Sequence, residues 1–238
     1  MIKKVTIQDE QAIIAQCTPQ GSGAIALIRI SGTDAIEIVD KISKLSSGKK
    51  LKNRPKNSIS YGHIVDQEGK NVDQVLFFLM QKPHTFTGQD TVEISCHNNQ
   101  FIIQQIIALA ILNNARLAQA GEFTRRAFLN KKIDLMQAES INELISANTQ
   151  IALKQALSQV EGSLSSWMLD IEKKLLKALS LSEVSFEYVD EDLELDDEIR
   201  EILKNILKTI SILKKTFDQQ KYIRQGVEIA ILGSVNAG

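Results

Sequence analysis

Three charged side chains in separate segments of the sequence could together hold a polar ligand. Arg29 lies inside an apolar stretch, where a charge is costly unless it is paired or ligated. Glu93 alternates with apolar residues, and Lys132 comes shortly after the segment Gly121–Phe128. A carboxylate accepts N–H groups of a heterocycle, while the two bases bind acceptor atoms or carboxylates. Taken singly, each residue is more simply explained as structural or solvated, and spacing does not show that the three converge.

A glycine-spaced loop at the end of the chain could bind phosphate. Val227–Leu232 has the composition of a strand and leads directly into Gly233–Gly238, which fits the pattern G-x-x-x-x-G. In a phosphate-binding loop, a lysine and a Ser or Thr follow this pattern. They are absent here, so we interpret the chain as a fragment that stops at the start of a nucleotide-binding domain. An ordinary glycine-rich tail is the alternative.

Cysteine chemistry is not expected. Cys17 and Cys96 are the only cysteines, too few and too far apart for a disulfide framework or a paired-cysteine zinc site. Cys96 is followed by His97, but neighbouring residues of a strand point to opposite faces. The two side chains are therefore not expected to act together as a nucleophile and its base.

Composition places the chain among soluble globular proteins. Its 238 residues are 43% hydrophobic and 24% charged, with a net charge of −1, which argues against disorder and against a globally basic nucleic-acid binder. The first residues do not resemble a signal peptide, and no apolar run is long enough for a membrane span, so we expect a cytoplasmic location and no membrane partner. Lys41–Lys56 contains seven bases and Asp190–Glu201 eight acids. A solvated surface is the simpler explanation of both runs, and phosphate contact is the alternative for the basic one.

Proline and glycine divide the chain into two parts. No proline follows Pro83, and Gly162 is the only glycine between Gly121 and Gly226. Because both residues break helices, many turns are expected in the first part and long helices in the second. The patterns predict strands at Ala24–Ile30, Val75–Met80 and Thr91–Cys96, a helix at Ala35–Leu45, and a buried helix at Phe101–Leu112.

This order of elements predicts an α+β domain over residues 1–120 and an all-α helical bundle over residues 121–225. In the second part, apolar residues recur at spacings of three and four, for example from Leu169 to Leu179 and from Ile199 to Leu213. Such stripes need partner helices. Residues 226–238 are assigned to the first strand and truncated loop of a further domain.

Four segments resemble the MnmE (TrmE) family of tRNA uridine-modification GTPases. They are Asp9–Gly32, Phe86–His97, Ala115–Ile145 and Gly233–Gly238, and the third is the most specific. The fourth resembles the opening of the family's G-x-P-N-x-G-K-S loop. The resemblance covers nearly the whole chain in order.

The resemblance implies a fold and a reaction. The first domain would be similar to the folate-binding fold of the glycine-cleavage T protein, would form a homodimer, and would bind 5-formyl- or 5,10-methylene-tetrahydrofolate. The helical domain would carry an inserted Ras-like α/β GTPase domain, which uses GTP, K⁺ and Mg²⁺. Family members act with the FAD-dependent partner MnmG (GidA), in a heterotetramer, on C5 of the wobble uridine of tRNA.

The resemblance also assigns roles to the candidate residues. Arg29, Glu93 and Lys132 match motif positions of the folate site. At the end of the chain, Gly233 and Gly238 match the loop glycines, and Asn236 matches the loop asparagine that coordinates K⁺. No catalytic residue is assigned. Without the rest of the GTPase domain, the fragment is expected to lack GTPase activity and to expose apolar stripes in its helical part.

Two other interpretations stay open. The first domain could be a dimerisation scaffold with a vestigial folate pocket, because Ser22, Asn98 and Asn99 depart from the family pattern, as do Ala120 and Val235. The chain could also be a stand-alone aminomethyltransferase. The strand-to-loop ending argues against that second interpretation, since such a fold does not need a nucleotide loop.

Overall fold

The computed structural model of the chain describes residues 10–187, 195–225 and 232–233. The chain divides into two compact units, Met1–Asp134 and Leu135–Gly238. The predicted final strand and the loop Gly233–Gly238 lie outside the described residues, apart from Leu232 and Gly233, which belong to no helix or strand. Asn236 and Gly238 are among the residues that are not described.

The first unit is built on a mixed sheet of seven strands. They are β1 (Ile13–Gln16), β2 (Ile25–Ser31), β3 (Ser43–Leu45), β4 (Ser58–Val65), β5 (Asn71–Met80), β6 (Thr91–His97) and β7 (Arg116–Leu117). The order across the sheet is β3-β4-β5-β6-β2-β1-β7. Among the described strands, only the β1–β7 pair is parallel. The described helices of this unit are α1 (Ala35–Lys41), α2 (Gln100–Leu112) and α3 (Glu122–Leu129), with a short 3-10 helix at Leu51–Asn53.

One face of the sheet forms the core with α1 and α2. Alternate residues of the central strands point to this face and are buried, as the pleat of a strand requires. They include Ala26, Ile28, Ile30, Phe77, Leu79, Val92, Ile94 and Cys96, which join Ile38, Val39, Ile103 and Ile106 of the helices in one hydrophobic cluster. Burial of this many aliphatic groups supplies the main stabilisation of the unit.

The opposite face, here called the open face, carries exposed apolar residues. Ile25, Ile59, Tyr61 and Leu76 are 40–65% exposed there. The strand register puts Arg29 and Glu93 on the same face, because both alternate with core residues of β2 and β6.

The strands predicted at the centre of the sheet and the helix α2 are confirmed, but two details are wrong. The helix predicted over Ala35–Leu45 ends at Lys41, because Ser43–Leu45 pairs with β4 as an edge strand. Only one side of α2 is buried, since Phe101 and Leu112 are exposed. Strand β4 was not predicted from its composition.

The first compact unit extends to Asp134, beyond the limit of residue 120 proposed from the sequence. The reason is helix α3, whose Glu122, Arg126 and Ala127 are buried in that unit. Lys132 therefore belongs to the same unit as Arg29 and Glu93.

The described elements of the second unit are all α-helices, as predicted for residues up to 225. Its described helices are α4 (Leu135–Ser146), α5 (Gln150–Val160), α6 (Ser163–Glu187) and α7 (Leu195–Gln225). Thr149 caps α5 by accepting the N–H of Ala152 at 3.1 Å. Many apolar side chains of α6 and α7 are exposed, including Leu169, Leu175, Leu176, Leu179, Leu203, Leu207 and Leu213. None of the described helices combines the length and the hydropathy of a membrane span.

Candidate functional site

Arg29 and Glu93 form the centre of the candidate site. They stand directly opposite each other in the antiparallel register of β2 and β6. Arg29 Nε donates to Glu93 Oε1 at 2.7 Å, and Nη2 lies 2.7 Å from the same oxygen. Both side chains are about one-fifth exposed. The ion pair thus offsets the desolvation cost of placing a charge inside an apolar strand. Both side chains stay accessible from the open face.

Two aromatic rings flank the Arg29 guanidinium. Its central carbon lies 5.6 Å from the ring centre of Phe86 and 5.3 Å from that of Phe123. Both distances allow attraction between the cation and the negative face of a ring. Phe86 comes from the loop between β5 and β6, and Phe123 from α3. Neither ring was predicted to belong to the site, because nothing in the spacing of Phe86 or Phe123 connects them to Arg29.

Lys132 lies against the same loop as Phe86. Its Nζ donates to the backbone oxygen of Pro83 at 3.0 Å. Gly88 adopts a left-handed conformation with φ +74°, and a Cβ there would come within 3.2 Å of Lys132 Cγ. Within the described residues, no hydrogen bond or ion pair joins Lys132 to Arg29 or Glu93. The three predicted residues are therefore gathered around one loop, Gln81–Asp90, but only two of them touch.

A buried arginine anchors the loop Gln81–Asp90. Arg126 is 1% exposed, and its Nη1 donates to Gln89 Oε1 at 3.0 Å. Its Nη2 donates to the backbone oxygen of Gln11 at 2.9 Å. Thr87 also holds the loop. Its hydroxyl forms a hydrogen bond of 2.7 Å with the hydroxyl of Ser31, and its backbone oxygen accepts from the side-chain amide of Asn130 at 2.7 Å. The loop thus has several independent anchors, and a ligand would meet a preformed surface.

Glu122 balances the charge of this arginine. Its carboxylate pairs with Arg116 and Arg126 and accepts the backbone N–H of Gln119 at 2.9 Å. Burial alone would raise the pKa of Glu122, but the hydrogen bonds from Arg116, Gln119 and Arg126 outweigh burial and lower the pKa to about 2. The carboxylate therefore stays ionised at neutral pH and serves as a structural counter-ion under the loop.

Cys17 is a further group beside the site that sequence analysis did not place there. The residue follows β1, and its N–H donates to the backbone oxygen of Leu27 at 2.7 Å. Burial raises the pKa of the Cys17 thiol, Arg29 opposes that shift, and Glu93 adds to it. A raised pKa keeps the thiol protonated at neutral pH, so the site does not activate it as a nucleophile.

Asn98, which departs from the family pattern, contacts the turn that contains Ser22, another departure. The side chain of Asn98 donates to the backbone oxygen of Gly21 at 2.8 Å and so fastens the turn between β1 and β2.

The neighbouring His97 pairs with Asp73, through Nδ1 and Oδ1 at 2.7 Å. Cys96 is buried on the opposite face, and burial together with Asp73 raises its pKa to about 11. This agrees with the expectation that Cys96 and His97 do not act as a pair.

The described part of the chain offers no cluster of three or more His, Cys, Asp or Glu side chains that could hold a metal ion. Gly233 is exposed, and the other positions predicted for nucleotide and K⁺ binding lie outside the described residues. The described geometry therefore concerns the Arg29–Glu93 site only.

This arrangement suits binding better than bond-breaking chemistry. Within the described residues, neither Glu93 Oε2 nor Arg29 Nη1 has a protein hydrogen-bond partner. An open acceptor and an open donor thus stand beside each other, next to aromatic rings. A planar heterocycle with neighbouring donor and acceptor atoms matches that combination.

Comparison with known proteins agrees with the geometry of the two units. The profile "GTP-binding protein TrmE N-terminus" matches residues 12–132, and the profile "MnmE helical domain" matches residues 135–228. The border between the two matches coincides with the division of the chain after Asp134.

Relatives described as tRNA modification GTPase MnmE align along almost the whole chain. The protein of Alkaliphilus metalliredigens is 41% identical over 233 residues, which are 96% of this chain and 50% of the relative. The proteins of Bacillus subtilis and Lysinibacillus sphaericus are 40% and 42% identical, each over 95% of this chain and 50% of the relative. The chain spans about half the length of these relatives. It belongs to the MnmE (TrmE) family.

Proposed function

We propose that the chain is the N-terminal part of a tRNA-modifying GTPase and that its first unit binds a reduced folate. The observation that carries the proposal is the Arg29–Glu93 pair, which lies on the open face between Phe86 and Phe123. Family membership supports it, because the relatives are described as tRNA modification GTPases.

The side chains present fit the pterin ring of a folate. Glu93 Oε2 would accept N–H groups from the amino-pyrimidine edge, and Arg29 Nη1 would donate to a ring acceptor. Phe86 or Phe123 would cover the ring, because aromatic planes stack favourably with an offset. Lys132, which contacts the same loop at Pro83, would bind an acceptor or carboxylate of the ligand. When bound, 5-formyl- or 5,10-methylene-tetrahydrofolate supplies a one-carbon unit.

In this proposal the chain's own residues bind and orient the folate. Glu93 pairs with Arg29 through Oε1 alone, so Oε2 would be the acceptor that the site presents to the ligand. Cys17 stays protonated and takes no covalent part. The fixed loop Gln81–Asp90 keeps Phe86 in place and excludes water from one side of the ligand.

The remaining parts of the function are proposed on the family resemblance. The full protein would bind GTP, K⁺ and Mg²⁺ with a domain whose first strand and loop lie in residues 226–238. Gly233 and Gly238 would belong to the nucleotide-binding loop, and Asn236 would contact K⁺. Its first unit would form a homodimer, for which the exposed apolar residues of the open face are available. With the FAD-dependent partner MnmG (GidA), in a heterotetramer, it would modify C5 of the wobble uridine of tRNA in the cytoplasm.

Calorimetric titration with 5-formyltetrahydrofolate tests the folate site. We expect the parent chain to bind and Glu93→Ala to lose binding while keeping its circular dichroism and its melting temperature within a few degrees. Ser95→Ala is the matched control, because Ser95 lies two residues further along β6 on the same face. It should bind like the parent.

The alternative is a dimerisation scaffold with a vestigial pocket. It would be favoured if the parent chain and a full-length relative chain both failed to bind any reduced folate. It would also be favoured if Glu93→Ala and Ser95→Ala bound as tightly as the parent.

A further inference from the structure

A basic segment at one edge of the first unit is not used by the folate site. The segment Lys41–Lys56 contains seven bases and no acid. It runs from the end of α1 through edge strand β3 and the 3-10 helix to the start of β4. Six of its bases are exposed lysines: Lys41, Lys44, Lys49, Lys50, Lys52 and Lys56.

The lysines of this segment have no acidic partners. Within the described residues, the ion pairs formed by lysine involve Lys70, Lys174 and Lys177, and none involves the basic segment. The nearest carboxylate along the chain, Asp40, accepts backbone N–H groups instead. No described carboxylate therefore neutralises the lysines of the segment, whereas Glu122 pairs with Arg116 and the buried Arg126.

The backbone of the segment is anchored at several points. Asp40 accepts the N–H of Leu51 at 2.5 Å and the N–H of Lys52 at 3.2 Å. Leu51 is fully buried, and Arg54 Nε donates to Ser60 Oγ at 3.1 Å. A solvated charge run needs no such anchors. A binding surface gains from them, because less backbone freedom is lost when a partner binds.

Charge is also divided unevenly between the two units. Residues 1–134 contain 17 bases and 12 acids, whereas residues 135–238 contain 11 bases and 17 acids. Seven of the 17 bases of the first unit lie in the basic segment. The basic segment therefore concentrates positive charge at one place in a chain whose net charge is −1, and clustered bases of this kind are typical of surfaces that bind nucleic acids.

We propose that the basic segment binds the phosphate backbone of tRNA. The choice of RNA over other polyanions rests on the proposed function. Lysines that contact phosphates act as mobile point charges and carry no sequence information. The segment would therefore position tRNA and contribute affinity, not select the tRNA sequence.

Fluorescence anisotropy with a labelled tRNA transcript tests this proposal. The cluster variant combines Lys49→Gln, Lys50→Gln and Lys52→Gln in the chain. The control variant combines Lys154→Gln, Lys173→Gln and Lys204→Gln, which removes the same charge from exposed positions of the second unit. Titrations at 50 to 200 mM salt give the affinity and its salt dependence.

We expect the cluster variant to bind tRNA about 10-fold more weakly at 100 mM salt. The slope of log affinity against log salt should fall by about 2, since each lost phosphate contact removes about 0.7–0.9 of slope. The control variant should match the parent. Equal weakening in both variants would overturn the proposal, because it would reflect net charge alone.

Unchanged binding by the cluster variant, or no salt-dependent binding by the parent, would also overturn it. The lysines would then protect the edge strand β3 from pairing with other chains, or would meet an acidic protein. Neither result bears on the folate site, which is tested with a different ligand and by Glu93→Ala. Circular dichroism of both variants confirms that the exposed substitutions leave the fold intact.

Discussion

Arg29 and Glu93 face each other across β2 and β6, and Arg29 Nε donates to Glu93 Oε1 at 2.7 Å. The bond uses one carboxylate oxygen and leaves the other open to a ligand from the open face. In the proposed function, stability and folate binding both depend on Glu93, so a substitution that affects one more than the other is informative.

Glu93→Gln is expected to weaken folate binding much more than it lowers stability. The amide keeps the shape of the side chain and can still accept from Arg29, but it loses the charge that strengthens hydrogen bonds to N–H groups. We expect 5-formyltetrahydrofolate to bind at least 10-fold more weakly, as measured by calorimetry. Because the pair is partly exposed, the free energy of unfolding should fall by only about 1 kcal/mol. A larger loss of stability with unchanged folate affinity would make the pair purely structural.

Phe123→Leu is expected to remove the cation–π contact of Arg29 and to leave its ion pair with Glu93 in place. The leucine keeps an apolar side chain on α3 but loses the ring face 5.3 Å from the guanidinium. We expect a destabilisation of about 0.5–1 kcal/mol beyond that of lost packing, typical of a cation–π contact. A double-mutant cycle with Arg29→Met, followed by urea unfolding, measures this coupling. A coupling energy near zero would contradict the assigned contact.

Glu122 is expected to control acid stability of the first unit. Its pKa is lowered in the folded state to about 2 from an ordinary value of 4.5, so its contribution is complete above about pH 4.5. The contribution is lost as pH falls from there towards 2. We expect a loss of about 3 kcal/mol over this window in the parent. Stability measured by urea unfolding at a series of pH values checks it.

Glu122→Gln should flatten that acid transition and lower stability at pH 7 by about 3 kcal/mol, because Arg126 would stay buried beside a neutral group. Glu68→Gln is the matched control, since Glu68 forms an exposed pair with Lys70. Its cost should stay below about 1 kcal/mol. Equal pH profiles for the parent and the Glu122→Gln variant would exclude Glu122 as the main acid-sensitive group.

Gly32→Ala is expected to destabilise the end of β2 strongly. Gly32 has φ +145°, and a Cβ there would lie 2.5 Å from the Cα of Ala12. A clash with backbone cannot be relieved by a side-chain rotation, so we expect a cost above about 2 kcal/mol. Gly69→Ala is the control, because Gly69 has φ +80° but open space around it. It should cost about 1 kcal/mol, measured by thermal unfolding.

The two cysteines should differ in their rates of reaction with alkylating reagents. Cys17 is exposed but has a raised pKa, so alkylation by iodoacetamide at pH 7 should be slower than that of a free cysteine and should increase with pH. Cys96 is buried, with a pKa of about 11, and should react only after unfolding. Mass spectrometry of the Cys17→Ser variant assigns the sites. Fast labelling of Cys17 at pH 7 would contradict the raised pKa.

The sequence by itself determined the two-part organisation and the family. The scarcity of proline and glycine after Gly121 predicted long helices, and alternation in Thr91–Cys96 predicted a strand with one buried face. These features are local, because helix periodicity and strand alternation follow from backbone geometry within a few residues. The sequence alone also shows the family motif around Gly121–Phe128 and suggests three candidate site residues, Arg29, Glu93 and Lys132.

Tertiary structure decided which of those residues meet. Arg29 and Glu93 are 64 residues apart in sequence, and only the β2–β6 register brings their side chains together. Phe86 and Phe123 flank Arg29 because a loop and a helix from different parts of the chain pack at the same strands. Likewise, Ser43–Leu45 continues a helical pattern in sequence but pairs with β4 in the structure, because hydrogen bonding to a neighbouring strand outweighs local propensity. Contacts between distant segments depend on the whole fold, and no local pattern encodes them.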